Sequence, residues 1–263
     1  MNNEKTPILK PEEKTRLFAQ MVVTVCILAI VVGLGYINKL YGNKTNTTNP
    51  DSINSDLAVV KIEDKTSKYL DIKAEYPTAG IGSEYVKQNV LNIIDEFKKQ
   101  NDFSKMSDTD LENIGITPER QYQLYVKYTT ATGVNTITHR IDSYAFTGGA
   151  HGGNFVETFT FTNNEKLLSI NDLFVDSAKG LKLLSEKTIE YIKNNENYKD
   201  ALPTDWFDEG TAPTQENYSA FEITKDTLVV VFQQYQALPY VYGNIEIPIK
   251  LAELSSVLKP EFK

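Results

Sequence analysis

Cysteine is nearly absent from this chain: Cys26 is the only one in 263 residues. A single thiol excludes an intramolecular disulfide and a cysteine-based zinc site. It also stands inside an apolar run, where a thiolate nucleophile is disfavoured. Histidine is almost as scarce. His139 and His151 are the only two, and they show neither the i, i+4 helical pair nor the H-x-E spacing of a metal site. The chain contains no G-x-S-x-G and no G-x-x-x-x-G-K-[ST], so serine-elbow hydrolysis and phosphate-loop chemistry have no sequence support. Neither a metal nor any other cofactor is expected. Positive charge is in short supply too. Residues 1–55 hold six of the 27 Lys/Arg and four of the 35 Asp/Glu, which leaves the remainder at about −10. No basic groove for nucleic acid is present. Such a charge steers towards basic partners, and it also keeps a domain soluble. With 35 acids available, a carboxylate pair suited to glycoside chemistry decides nothing.

Charge vanishes altogether between Leu17 and Asn38, and "MVVTVCILAIVVGLGYI" (Met21 to Ile37) is nearly all apolar. About 20 such residues span a bilayer core as a helix. Lys5, Lys10, Lys14 and Arg16 precede the run and only Lys39 and Lys44 follow closely, so the N-terminus is expected in the cytoplasm. The run is long for a signal-peptide core and no A-x-A-like cleavage site follows it, which favours an uncleaved signal anchor. The expected organisation is a cytoplasmic tail at 1–16, a transmembrane anchor at 17–38 and a flexible Asn/Thr/Ser-rich linker at 39–55. Two α+β modules follow at 56–132 and 133–263, outside the cytoplasm at the cell membrane.

Within these modules, "SKYLDIKAEYP" (Ser67 to Pro77) alternates as a strand. "SEYVKQNVLNIIDEFKKQ" (Ser83 to Gln100) places Val86, Val90, Ile93, Ile94 and Phe97 on one helical stripe, with Ser83 as the expected N-cap. Tyr122, Leu124, Val126 and Tyr128 alternate along a strand at 120–133, and residues 134–149 return as its partner. Hairpins are predicted at Asn163-Asn164 and Lys225-Asp226. A second helix at 177–195 carries Leu181, Leu184, Thr188 and Ile192 on one side, and a final strand with a short helical tail covers 243–254. The order predicts an α+β fold of mostly antiparallel sheets packed by two main helices, preceded by one transmembrane helix.

Three stretches carry candidate functional residues. In "FTGGAHGGNF" (Phe146 to Phe155), His151 lies between two glycine pairs. Glycines serve where φ is positive or backbones approach closely, so the stretch is a crossing between two strands. Free N–H groups in such a loop can cradle an anion and His151 could act as acid, base or ligand; the plainer reading is structural punctuation. A hydrolase would need His151 paired with a carboxylate such as Asp142 or Asp172. In "TDWFDEG", Trp206 and Phe207 are flanked by Asp205, Asp208 and Glu209. Aromatic anchors ringed by acids suit a basic protein surface or a sugar face, whereas a Trp plugging the core beneath a loop is the structural alternative. In "QQYQALPYVYGNIEIPI" (Gln233 to Ile249), Tyr235, Tyr240 and Tyr242 cluster around Pro239, a rigid turn suited to packing or recognition.

Taken together, "SYAFTGGAHGGNF…FTFTNNEKLLSINDLF" and "VVVFQQYQALPYVYGNIEIPI" resemble the extracytoplasmic domain shared by RsiV-type anti-sigma factors and the non-catalytic part of PdaC-type peptidoglycan deacetylases. Leu57 to about Thr132 is similar to the module that usually precedes that domain. The resemblance implies an α+β fold outside the membrane and, for RsiV-type members, recognition of lysozyme, a basic enzyme. A tail of about sixteen residues is short for holding a sigma factor, and no deacetylase domain is attached. The expectation is an anchored binding or sensing domain whose partner is a basic protein such as lysozyme or a cell-wall glycan. Its contacts are expected from Trp206, Phe207, Asp205, Asp208, Glu209, His151, Tyr235 and Tyr240, without catalysis.

Overall fold

A computed structural model of the chain describes residues 59–64, 67–202 and 204–263. The apolar run at 17–38, the tail before it and the linker after it lie outside these residues. No helix among the described residues is long and apolar enough to cross a membrane. Asp56–Lys263 form one unit, and its element order begins β1 (Val59–Asp64), β2 (Leu70–Pro77), α1 (Ser83–Gln100), α2 (Asp108–Asn113), β3 (Tyr122–Thr132), β4 (Thr136–Phe146), β5 (Gly153–Thr162) and β6 (Leu167–Leu168). It continues with α3 (Ser177–Asn194), α4 (Phe207–Gly210), β7 (Phe221–Ile223), β8 (Thr227–Phe232) and β9 (Ile245–Lys250), joined by short 3-10 turns.

The first sheet has the order β1-β2-β3-β4-β5-β6, and the second is β7-β8-β9. The α+β class with mainly antiparallel sheets is as expected from the sequence. The exception is β2 with β3, which run parallel from Leu70↔Tyr122 to Ala74↔Val126. Parallel neighbours need a crossover, and α1 and α2 supply it. The β3–β4 hairpin turns at 133–135, where the sequence reading divides two modules, and joins neighbouring strands of a single sheet. The two sheets divide further along the chain, between β6 and β7.

α1 buries Val86, Val90, Ile94 and Phe97 against Ile72, Leu124, Val126 and Ile141. Its N-cap is Gly82, at φ 73°, and not Ser83; no side chain caps this end. α3 lays Leu181, Leu184, Thr188 and Ile192 towards the second sheet, where Val230, Phe232, Ile245 and Ile247 are at most 1% exposed. Each such side chain contributes roughly 1.5–3 kcal/mol on burial. Thr188 sits in this core because its hydroxyl bonds the Tyr218 hydroxyl at 2.9 Å.

The second sheet turns its other face to the first. Val156 of β5 meets Ala220 and Val231, and the Thr158 hydroxyl accepts from the Phe221 N–H at 2.8 Å. Arg140 of β4 ties the two sheets together. Its guanidinium holds Asp142 at 2.8 Å, Glu222 of β7 at 2.7 Å and Glu246 of β9 at 2.7 Å. Burial pulls its pKa down, and the three carboxylates more than reverse that, so it stays above its ordinary value.

Candidate functional site

The loop between β4 and β5 spans 147–152 and carries the glycine pairs. Gly148 and Gly149 have φ of 87° and 88°, the left-handed region that glycine adopts without a steric penalty. Gly152 answers a different need: a Cβ there would fall 2.5 Å from the Tyr144 ring. The stretch is thus a glycine-permitted crossing between neighbouring strands, as its sequence implies.

His151, at the loop's end, is exposed and stacks on Tyr240, with ring centroids 4.1 Å apart and planes at 24°. Its Nδ1 lies 3.2 Å from the Gly152 carbonyl, and the same carbonyl accepts from the Tyr240 hydroxyl at 2.8 Å. Tyr235 completes the row 5.6 Å from Tyr240. It is 41% exposed and holds φ at 65°. A bulky residue in the left-handed region costs about 1–2 kcal/mol, and such strain clusters at functional sites. Val241 beside them is 81% exposed.

The carboxylates that a His151 hydrolase would require are committed elsewhere. Both oxygens of Asp142 accept from Arg140 at 2.8 Å. Asp172 caps the 3-10 turn Ile170–Leu173 through Ser169 and pairs with Lys166 at 2.8 Å. Burial alone would raise the Asp172 carboxyl, but Lys166 and Ser169 hold it below its ordinary value. Neither bonds His151. Among the described residues no group of three or more His, Cys, Asp or Glu is placed to hold a metal ion.

The segment 233–242 is the hub of this region. On one side its glutamines stand in for a missing strand on the free edge of β5. The Gln233 side chain accepts from the Val156 N–H at 3.0 Å and donates to the Val156 carbonyl at 2.7 Å. The Gln234 side chain accepts from the Asn154 N–H at 2.9 Å. On the other side lies the Trp206 stretch. The Thr204 hydroxyl donates to the Ala237 carbonyl at 3.0 Å, and Gln236 donates to the Gly210 carbonyl at 3.1 Å. Gly210 is obligatory, since a Cβ there would fall 1.7 Å from the Gln236 carbonyl oxygen. The three stretches singled out in the sequence therefore meet on one ten-residue segment.

Their residues do not all reach the surface. Asp205, Asp208 and Glu209 are exposed. Phe207 is 6% exposed and packs in the core of the second sheet, so its side chain has no free face for a partner. Trp206 is half-buried and its indole N–H is sealed from solvent without a hydrogen-bond partner. It fills space under the loop more than it projects from it. A separate cleft of about 390 Å³ lies beside α3 and β9, lined in part by Lys187, Glu190, Tyr191, Asn194 and Glu253; none of the sequence-predicted residues lines it.

Residues 171–252 match the family described as "Protein of unknown function (DUF3298)". That span includes Trp206, Tyr235 and Tyr240; His151 precedes it. Over 130 residues the chain is 34% identical to the peptidoglycan-N-acetylmuramic acid deacetylase PdaC of Bacillus subtilis (strain 168), covering 48% of this chain and 27% of that protein. The chain thus spans about a quarter of the length of that relative. In fold it is similar to the crystal structure of a DUF3298 family protein from Pseudomonas aeruginosa PAO1. The TM-score is 0.52 at 15% identity, with 79% of this chain and 97% of that one covered. It is also similar to a DUF3298 family member from Bacteroides fragilis NCTC 9343, with TM-score 0.54, 19% identity, and 78% and 95% covered.

Proposed function

We propose that the chain is a membrane-anchored binding or sensing protein of the cell envelope. In this reading residues 17–38 anchor it, the N-terminus is cytoplasmic, and the Asp56–Lys263 unit recognises a basic protein such as lysozyme, or a cell-wall glycan, outside the cytoplasm. The observation that carries the reading is the convergence of the His151 loop, the Trp206 stretch and the Tyr235–Tyr240 turn on residues 233–242. That convergence leaves His151, Tyr235 and Val241 exposed, while the adjoining stretch presents Asp205, Asp208 and Glu209. Rigid aromatic side chains give large contact area at low entropic cost, and exposed acids steer a basic partner. Similarity to a peptidoglycan deacetylase supports a setting at the cell wall.

Calorimetric titration with lysozyme and with muropeptides tests it through two variants. Tyr240→Ala should weaken binding at least tenfold, as loss of a central aromatic anchor costs about 2 kcal/mol or more. Tyr235→Gly removes the exposed ring and relieves the left-handed strain, so it should lose affinity while stability changes by no more than about 1 kcal/mol. Wild-type affinity in both variants would remove this surface from recognition.

A further inference from the structure

The face of the first sheet that meets α1 contains an oddity on β5. Phe155, Glu157, Phe159 and Phe161 alternate inward, so a carboxylate occupies one place in an aromatic row. Phe159 and Phe161 receive Tyr85 of α1 edge-on, at 5.3 and 5.8 Å between centroids. Glu157 stands opposite Ile141, which is fully buried, and on the diagonal from Ser143. Same-face diagonal neighbours lie about 7–8 Å apart, within reach of long side chains.

Two polar groups here lack partners. The Ser143 hydroxyl is sealed from solvent with no hydrogen bond. Glu157 is half-buried, and among the described residues it makes no hydrogen bond or ion pair. Burial alone pushes its carboxyl above the ordinary value, with no cation contributing. The Tyr85 hydroxyl is raised as well, first by burial and then by the charge of Glu157. Arg140, by contrast, gathers three carboxylates on the opposite face of the same sheet. A raised carboxyl contributes its full stability below about pH 4.3 and loses it as pH rises through its folded value. The free protein thus holds a half-buried carboxyl in an aromatic row with no donor to satisfy it. A carboxyl left without a partner among aromatic rings is the place a cationic side chain would fill.

We propose that Glu157, flanked by Tyr85 and Phe155, is the socket for a guanidinium side chain of a basic protein partner. The proposal rests on the basic-partner reading above and adds a second contact region on β5, whose other edge Gln233 and Gln234 hold. A guanidinium matches this chemistry better than an ammonium. Its planar fork of donors meets both carboxylate oxygens, and its flat faces stack on aromatic rings. In partly desolvated surroundings the charge-assisted pair is stronger than on open surface.

Carboxyl-carbon NMR of the full chain in detergent, titrated with Nα-acetyl-arginine methylamide, tests this without any protein partner. The Glu157 signal should shift saturably, and its pH midpoint should fall by about one unit at saturation, a tenfold preference of the probe for the ionised form. The lysine analogue should act more weakly. Glu157→Gln should abolish binding of the arginine probe by calorimetry and raise the melting temperature at pH 7 but not at pH 4. A Glu157 signal that ignores the probe, or that moves equally with sodium chloride at matched ionic strength, overturns the socket. Failure of the Tyr240→Ala test on lysozyme would sink the recognition surface and leave the arginine titration to stand or fall by itself.

Discussion

His139 and His151 illustrate how context divides two copies of one residue. His151 is exposed and leans on Tyr240. His139 is 0% exposed, its Nδ1 2.7 Å from the Tyr128 hydroxyl and its Nε2 2.6 Å from the Ile81 carbonyl. That geometry suits the neutral ring, with Nε2–H donating and Nδ1 accepting. Burial depresses its pKa, and the bond to Ile81 only partly opposes this. A depressed histidine contributes stability that is full above about pH 6.5 and is lost as pH falls through the folded value. Urea denaturation of the wild type should therefore show a falling midpoint between pH 7 and pH 5. His139→Gln, which can make both bonds without titrating, should flatten that fall at a cost of about 1–2 kcal/mol at pH 7. An unchanged slope would mean that His139 takes up its proton equally in the folded and unfolded states, so that its burial does not depress it. In the sequence the two histidines differed only in setting, one on a predicted strand and one in a glycine loop. The turn before it placed His139 on the returning strand, but only pairing with β3 revealed its Tyr128 partner.

Among the elements, those with strong periodicity were legible. The helix predicted at 83–100 has those bounds, and the one predicted at 177–195 ends at Asn194. Both turned hairpins lie where Asn163-Asn164 and Lys225-Asp226 mark them. α2 went unread although Ser107 and Asp110 form a capping box, a signal visible in the sequence. The parallel β2–β3 pairing was not legible, because register between distant strands leaves no local pattern. Glu157 was missed for another reason: its inward place follows directly from Phe155, Phe159 and Phe161, but the stretch was read for its turn alone. The Arg140 strap belongs to this scale as well. Its side chain is 14% exposed and Glu222 is 15% exposed, so removing the cation leaves a nearly buried carboxylate. Arg140→Ala should destabilise by about 3 kcal/mol, read from the urea midpoint. A loss below about 1 kcal/mol would mean that the contacts of Val156, Ala220 and Val231, with the Thr158–Phe221 and Gln233–Val156 bonds, hold the sheets together without Arg140.

For the molecule as a whole, charge and topology act together. The chain carries a formal −8 and residues 56–263 about −10. The segment 233–242 joins loops from the first sheet to the stretch preceding β7, so the candidate surface depends on the whole unit being folded. Convergence of the three stretches could not be read from one sequence, since they lie up to 90 residues apart. The types of residue could be read, and the acids, His151 and Tyr235 are present at the surface; Phe207 is buried and Trp206 mostly fills space beneath the loop, because packing claims both adjacent aromatics. Titration of the full chain with lysozyme at two ionic strengths, with muropeptides as the parallel arm, addresses recognition most directly. Saturable binding is predicted, and for lysozyme an association rate that falls steeply with added salt, as acid-to-base steering requires. No binding to lysozyme and none to muropeptides would contradict it.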